Sequence, residues 1–225
     1  MFILGIDASS DRLNIGLGKD GELVSSLSLE NPRKHTALLY KYINAVLEKR
    51  GIAVEDLSCF AAVVGPGSFT GIRIAVTAVK ALAYALDKDV VALNSLDLLA
   101  LNASPFKGDT VASLMDGKRG NIYFSKYKRS GDGFKRVSEY ALISAEEAGD
   151  RLKDLDIVLG DGVDMLREVY PHIENNLNIP DKESWSIKPE YMISSAFHNW
   201  NNGERENIFD LKPVYIYPKE CTIRR

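Results

Sequence analysis

The chain has 225 residues, of which 45% are hydrophobic and 26% are charged. This is the composition of a globular protein, and the length allows one large domain or two small lobes that bury roughly 70% of their unfolded surface. The 28 basic and 31 acidic residues leave a formal net charge of -3, so no broad positive field attracts nucleic acid or anionic lipid. Any contact with RNA is therefore expected to be local or supplied by a partner.

Signals for secretion or membrane insertion are weak in this sequence. The apolar run before Asp7 is shorter than the hydrophobic region of a signal peptide, and no stretch approaches the roughly 18 apolar residues of a membrane span. Cys59 and Cys221 lack the density and spacing of a disulfide framework. We therefore expect a cytoplasmic protein with reduced thiols and no membrane partner.

The first hundred residues predict three antiparallel strands followed by alternating helices and strands. Strand patterns cover residues 2–6, 12–18 and 22–29, and Asp20-Gly21 supplies the positive φ angles of a tight turn. Apolar residues at helical spacing predict a helix that ends near Gly51. The elements predicted after it are a strand at 59–64, a helix at 71–86, a strand at 90–93 and a short helix at 95–102.

A second, similar set of elements follows a boundary predicted at residues 102–109. The elements expected there are a strand at 110–115, a hairpin of 121–128 and 134–140, a helix capped by Ser144, a strand at 157–159, a loop at 175–189, a helix at 189–200 and a strand at 211–217. The order indicates an α/β protein of two lobes, each a mixed sheet with flanking helices. The predicted lobes are residues 1–104 and the smaller 105–225.

The first strand of each predicted lobe ends in an aspartate followed by a turn. Asp7 precedes Ser9 and Ser10, and Asp116 precedes a Gly-Lys-Arg-Gly segment. In a two-lobed fold such turns can face each other, so that amides and hydroxyls hold phosphate oxygens and carboxylates hold magnesium through water. The alternative is that each aspartate only caps the amides of its own hairpin.

A glycine-rich loop at residues 65–73 lies between a predicted strand and a long helix. Its spacing differs from that of a Walker phosphate loop, and Ser68 is not in a Gly-x-Ser-x-Gly nucleophile elbow. The helix N-terminus can bind an anion through Gly67, Ser68, Thr70 and Arg73. The alternative is a structural loop that shapes a partner surface.

Two neighbouring helices of the first lobe have more apolar surface than one sheet can cover. In helix 71–86 the polar residues are confined to one narrow stripe, and the helix before Gly51 has a second apolar edge. The surplus either packs within the protomer or forms a helical interface with another protein. The residues assigned to that interface are Leu38, Tyr42, Ala45, Gly71, Ile74, Ala75, Ala78 and Leu82.

The histidines do not indicate a metal site. His35, His172 and His198 have no second histidine or carboxylate at a metal-ligand spacing, and no cysteine pair accompanies them. Neither a catalytic residue nor a metal ligand is therefore assigned.

Four segments together carry a family resemblance. They are residues 3–9, His35-Thr36, the run at 65–74 that reads Gly-Pro-Gly-Ser-Phe-Thr-Gly-Ile-Arg-Ile, and residues 116–123. In these segments the chain resembles the TsaB family, also called YeaZ, of bacterial tRNA threonylcarbamoyladenosine biosynthesis subunits. The resemblance is clear over the first 130 or so residues and extends to the rest by layout.

The resemblance implies two actin-like (ASKHA, ribonuclease H-like) lobes in a protein that has lost catalysis. It implies TsaD as the direct partner through the two helices, a homodimer when the chain is alone, and TsaE acting on the TsaB and TsaD pair. A TsaC-type synthase would supply the threonylcarbamoyl group, and tRNA would be met through the complex. No cofactor is expected for the isolated chain, and any ATP or magnesium would be expected in the complex.

A different class of function is kept beside this one. A small ATP-dependent phosphotransferase would use Asp7 and Asp116 around magnesium. It would need an adenine pocket in the second lobe, for which residues 160–162 before a helix are the candidate.

Overall fold

The computed structural model describes residues 1–30, 38–173 and 177–217. Within these ranges the strands are β1 (Phe2–Asp7), β2 (Arg12–Lys19), β3 (Glu22–Glu30), β4 (Leu57–Gly65), β5 (Asp89–Asn94), β6 (Thr110–Lys118), β7 (Asn121–Ser130), β8 (Gly133–Arg136), β9 (Ala141–Ser144) and β10 (Ile157–Leu159). The α-helices are α1 (Leu39–Glu48), α2 (Phe69–Leu86), α3 (Ser95–Leu101), α4 (Ala145–Asp150), α5 (Gly162–Val169) and α6 (Pro189–Asn201). Short 3-10 helices cover Val54–Asp56 and Lys182–Trp185.

The chain divides into two compact units whose boundary differs from the predicted one. Unit 1 contains Met1–Leu98 and Ile187–Val214, and unit 2 contains Leu99–Ser186 and, of the described residues after unit 1, 215–217. The sequence assigned all of 105–225 to the second lobe. Helix α6 instead packs on β1, β2, β3 and β5 of the first sheet, because its apolar side chains are buried there.

The predicted last strand at residues 211–217 is not formed. This segment has no regular secondary structure. Its residues up to Val214 belong to unit 1, where the Val214 amide donates to the Val64 carbonyl oxygen at 2.8 Å. This hydrogen bond joins the segment to β4 without forming the expected ladder.

The sheet of unit 1 has the strand order β3-β2-β1-β4-β5. The first three strands form an antiparallel meander, and Asp20 and Gly21 make its second turn with φ angles of 52° and 87°. Strands β4 and β5 are parallel to β1. Parallel neighbours need crossover connections, and the segments that contain α1 and α2 supply them.

Helices cover both faces of this sheet. On one face Leu4, Ile6 and Ile15 join the buried side chains of α1 and α2 in one core. On the opposite face a Cβ at Gly5 would lie 2.9 Å from Met192 Cε of α6. Strands alternate their side chains between faces, so α6 lies across the sheet from α1 and α2.

Among the described residues, α2 is the one helix with the length and composition of a membrane span. Its 18 residues have a mean hydropathy of 1.4, which is long and apolar enough to cross a membrane by length and composition. The expectation that no stretch approaches that length is therefore not met. Its buried residues Ile72, Ala75, Val76 and Val79 pack in the core of unit 1, as those of a core helix in a globular protein do.

The sheet of unit 2 has the strand order β10-β6-β7-β8, with β9 paired to β7. Its core includes Leu114, Phe124 and Leu166. Helix α4 begins where the sequence predicted a cap, because Ser144 Oγ accepts a hydrogen bond from the Glu147 amide at 3.2 Å.

Three predictions fall wholly or partly outside the described residues, namely those on His35-Thr36, on Cys221 and on the loop that begins at 175. Cys59 is described and is a buried free thiol. Burial raises the pKa of Cys59 to about 12, so this thiol is protonated and unreactive at neutral pH.

Candidate partner-binding face and aspartate turns

Asp7 lies at the end of β1 and is fully buried. Its Oδ1 accepts hydrogen bonds from the Ser9 amide at 2.9 Å and the Ser9 hydroxyl at 2.7 Å, and its Oδ2 accepts one from Asn14 Nδ2 at 3.1 Å. Burial raises the pKa of Asp7, and the bonds from Ser9 and Asn14 oppose that rise. Both carboxylate oxygens are therefore engaged by the chain's own donors.

The glycine-rich loop packs directly on the turn after Asp7. The Ser68 amide donates to the Ser9 carbonyl oxygen at 2.7 Å. A Cβ at Gly67 would collide with that oxygen, and one at Gly71 would collide with the Ala8 carbonyl oxygen. These two glycines permit close approach of two backbones, which is the structural alternative left open by the sequence.

The N-terminus of α2 carries the remaining predicted anion contacts. Ser68 caps the helix by accepting a hydrogen bond from the Gly71 amide at 3.3 Å. Thr70 and Arg73 are exposed on the first turns, and the Arg73 guanidinium carbon lies 3.8 Å from the centroid of the Phe69 ring. The Ser68 amide is already bonded to Ser9, whereas Thr70 and Arg73 are exposed, and the anion contact stays a prediction. Ser10 Oγ accepts a hydrogen bond from the Arg12 amide at 3.2 Å.

Asp116 belongs to unit 2 and has a different environment from Asp7. Its side chain is 26% exposed and lies 2.5 Å from Lys118 Nζ. Its Oδ1 also accepts a hydrogen bond from the Lys118 amide at 2.7 Å. Each aspartate thus caps its own turn. Across residues 1–30, 38–173 and 177–217 no group of three His, Cys, Asp or Glu side chains is placed to hold a metal ion.

A groove runs between α1 and the first half of α2, and we call it the α1–α2 groove. Its volume is about 450 Å³. Tyr40 and Phe69, which line it, are 53% and 55% exposed. Its lining residues are Leu39, Tyr40, Phe69, Thr70, Arg73, Ile74, Thr77 and Ala78.

The residues predicted to form the partner interface differ in how accessible they are. Leu38 is 42% exposed. Tyr42, Ala45, Ile74 and Leu82 are half-buried.

The small residues of the predicted interface are covered by the chain itself. Gly71 and Ala75 are buried within unit 1, and Ala78 is only 5% exposed although it lines the groove. Their close packing therefore serves the protomer, and the docking role assigned to them stays a prediction.

Tyr40 and Phe69 were missed by the sequence analysis as parts of this face. Tyr40 lies one position after a buried leucine of α1, and Phe69 lies at the first position of α2. An aromatic residue at an outward helical position was the available signal.

The far end of α2 also carries exposed aromatic side chains. The rings of Tyr84 and Phe209 meet edge to face with centroids 6.1 Å apart, and both are largely exposed. Lys80 Nζ donates to the Phe209 and Leu211 carbonyl oxygens at 3.2 and 3.1 Å, which fixes this segment beside α2. Phe69 and Tyr84 are about 22 Å apart along the helix axis at 1.5 Å per residue.

Comparison with known proteins identifies the family. A family model described as TsaD, tRNA N6-adenosine threonylcarbamoyltransferase, matches residues 29–181. The tRNA threonylcarbamoyladenosine biosynthesis protein TsaB of Bacillus subtilis (strain 168) is 30% identical over 168 residues, which are 75% of this chain and 67% of that protein. The chain belongs to the TsaB family.

Further TsaB relatives extend the similarity over nearly the whole chain. TsaB of Escherichia coli (strain K12) is 26% identical over 223 residues, which cover 96% of this chain and 94% of that protein. The structure of YeaZ from Pseudomonas aeruginosa has a TM-score of 0.81 and 25% identity, with 96% and 99% of the two chains covered. The predicted fold class, two actin-like lobes with mixed sheets and flanking helices, is confirmed.

Proposed function

We propose that this chain is a non-catalytic subunit that binds TsaD and activates it in forming N6-threonylcarbamoyladenosine beside the anticodon of tRNA. The chain belongs to a family whose members are named for tRNA threonylcarbamoyladenosine biosynthesis. The proposal adds that this chain takes part in the biosynthesis by contacting the catalytic subunit, and that it has no reaction centre of its own.

The observation that carries the proposal is the exposed aromatic rim of the α1–α2 groove. Tyr40 and Phe69 expose more than half of their surface beside half-buried Ile74. Exposed aromatic residues that border an apolar groove are typical anchors of protein interfaces, and a groove between two helices fits a helix of a partner. A stable interface of this kind buries about 1,600 Å² in total.

Activation follows if the chain binds one conformation of TsaD better than another. Binding then shifts TsaD toward that conformation, and a difference of about 1.4 kcal/mol changes the population ratio tenfold. The threonylcarbamoyl transfer itself would take place in TsaD. The group would come from a TsaC-type synthase, and TsaE would act on the pair of TsaD and this chain.

The same groove offers a site for a second copy of the chain. Homodimer and heterodimer would then compete for one surface, so that TsaD binding requires the homodimer to dissociate. Any ATP and magnesium would bind in the complex of TsaD with this chain. We expect that complex to act in the cytoplasm.

The phosphotransferase alternative is less well supported. It requires Asp7 to hold magnesium, but both of its oxygens are bonded to Ser9 and Asn14 and the side chain is fully buried. Magnesium binding by carboxylates proceeds through oxygens that water or the ion can reach.

Copurification with TsaD tests the proposal with two matched variants. Thr77→Arg places a charge at an exposed position that lines the groove, whereas Ser194→Arg places it at an exposed position of α6 on the opposite face of the sheet. Ala78 is less suitable, because it is 5% exposed and an arginine there would test folding. We expect Thr77→Arg to lose TsaD at an unchanged melting temperature and Ser194→Arg to retain it. Equal TsaD recovery with both variants would refute the assigned face.

A further inference from the structure

Positive charge is concentrated in and around the hairpin of β7 and β8 in unit 2. Residues 118–136 include seven lysines and arginines and one acidic residue, Asp132, in a chain whose net charge is -3. The hairpin pairs Ser130 with Gly133 around a two-residue turn, and Gly131 has a φ of 59°. Two-residue turns with a positive φ at the first turn residue match the twist of the strands, and they fix the register of the charged side chains.

The two arginines of the hairpin are held by contacts within unit 2. Arg129 Nε donates to the Gly108 carbonyl oxygen at 2.9 Å, and its guanidinium carbon lies 4.7 Å from the Phe134 ring centroid. The Arg136 guanidinium carbon lies 4.1 Å from the Tyr140 ring centroid. The two arginines therefore stabilise the hairpin through contacts within unit 2, and the ammonium groups of the neighbouring lysines make no such contacts among the described residues.

Lys126, Lys128 and Lys135, which we call the hairpin lysines, lie on one face of the ribbon. Lys128 and Lys135 are directly opposite each other in the antiparallel register, and Lys126 is two residues before Lys128 on the same strand. Lys128 and Lys135 are exposed, and Lys126 is half-buried. Over the described ranges no ion pair or hydrogen bond of these three ammonium groups is found.

This arrangement is unfavourable in the absence of an anion. Directly opposite side chains have Cβ atoms about 4.5–5.5 Å apart, and residues two apart on one strand are separated by roughly 7 Å. Both spacings are within the Debye length of about 8 Å at physiological ionic strength, so the charges repel one another. A bound polyanion would remove that repulsion.

The chemistry of the face favours phosphate over a protein partner. Lysine is depleted from the cores of protein interfaces, whereas lysines are common contacts of nucleic-acid phosphates. Duplex RNA is recognised mainly through shape and backbone contacts, which suits a two-stranded ribbon with charges in fixed register. Among the described residues, the acidic side chains that contact the hairpin lie at its arginines, Glu139 at 3.7 Å from Arg136 and Asp109 at 3.8 Å from Arg129, and not at the lysines.

We propose that the hairpin lysines bind the phosphate backbone of structured RNA. That this RNA is tRNA rests on the proposed function, whereas the phosphate contact rests on the hairpin alone. The contact is local, which agrees with the small negative net charge of the whole chain.

The test compares two triple variants of equal charge change in the full chain. One is Lys126→Ala, Lys128→Ala and Lys135→Ala, and the control replaces the exposed Lys49, Lys153 and Lys212 by alanine. Binding of a fluorescent tRNA transcript is measured by anisotropy between 50 and 200 mM KCl, with the chain alone and mixed with TsaD. Coelution of TsaD with each variant is measured separately.

We expect the hairpin variant to bind tRNA at least tenfold more weakly at 50 mM salt. The slope of log affinity against log salt should fall by about 2.7, since each phosphate contact contributes about 0.9. The control variant should keep both values. A Lys→Arg triple variant at the hairpin should bind as the unmodified chain does, and the melting temperature of the alanine variant should not fall.

Several results would overturn the inference. Equal losses of tRNA affinity in both triple variants would do so, as would an unchanged salt slope or no tRNA binding by the unmodified chain with or without TsaD. Binding of a polyglutamate peptide is measured beside that of tRNA. If the hairpin variant lost as much affinity for the peptide as for tRNA, the lysines would instead serve an acidic protein partner. Failure of TsaD to coelute with the unmodified chain would instead contradict the proposed function, and the RNA slope of the chain alone would still decide the role of the hairpin.

Discussion

The Ser68 amide donates a hydrogen bond to the Ser9 carbonyl oxygen at 2.7 Å, which joins the glycine-rich loop to the turn after β1. Gly67 and Gly71 press against the backbone of the same turn. The motif that carries the family resemblance thus has a packing explanation. It fixes where α2 begins, and α2 lines the groove assigned to the partner.

Replacing Gly67 by alanine is expected to destabilise the protein by about 2–4 kcal/mol. The new Cβ would collide with the Ser9 carbonyl oxygen, and the residue has a φ of 145° that alanine rarely adopts. Gly51→Ala is the matched control, because its φ is 64° and no atom lies within 4 Å of the added Cβ. It should cost only about 1 kcal/mol. Urea unfolding measures both, and equal losses would contradict the packing role of Gly67.

Asp7→Asn should change how stability depends on pH. Burial raises the pKa of Asp7 above its usual value of 3.8, so the native carboxyl keeps its proton to higher pH than the unfolded chain does. Its stabilising contribution is therefore complete below pH 3.8 and is lost as pH rises through the native pKa. Asparagine is neutral throughout. The unfolding free energy of the unmodified protein minus that of the variant should fall as pH rises from 4 to 8, and an increase would contradict the assignment.

Asp156→Ala should weaken the join between β6 and β10 in unit 2. The carboxylate accepts hydrogen bonds from the Thr110 amide at 2.9 Å, the Asp109 amide at 2.8 Å and the Thr110 hydroxyl at 2.9 Å. These bonds lower the pKa of Asp156, and the bond from the Thr110 amide lowers it most. We expect a loss of about 1 kcal/mol at pH 7, since the site is exposed.

The pH dependence of that loss has the opposite sign to that of Asp7. Because the native pKa of Asp156 is depressed, its contribution is present above pH 3.8 and disappears as pH falls through the native value. The loss caused by Asp156→Ala should therefore shrink in acid. Asp150→Ala, which removes an exposed ion pair with Lys153, should change stability by less than about 0.5 kcal/mol. A loss independent of pH would show that the ionised carboxylate is not what holds the strands.

Local patterns were sufficient to predict most of the secondary structure. Asp20-Gly21 formed the expected turn, and apolar spacing located α1 and α2 to within a few residues. Ser144 caps α4 as its position before two glutamates indicated. In each of these places the short-range preference and the tertiary packing favour the same structure.

Long-range packing decided the features that the sequence did not predict. Helix α6 follows unit 2 in the chain but is buried on the first sheet, and no local signal marks that return. The strand expected at 211–217 is absent. In this segment Leu211 is buried in the core of unit 1, whereas Val214 and Tyr217 are exposed. Gly71 and Ala75 were expected to admit a partner helix, yet the chain's own backbone and sheet fill the space beside them.

Threonylcarbamoylation of tRNA by purified TsaD, supplied with threonylcarbamoyl-adenylate, tests the central proposal most directly. The chain alone should form no modified adenosine, TsaD with the unmodified chain should form it, and TsaD with the Thr77→Arg variant should be at least tenfold slower at equal concentrations. Equal rates with the unmodified chain and the variant, or product formed by the chain without TsaD, would contradict its role as a docking subunit.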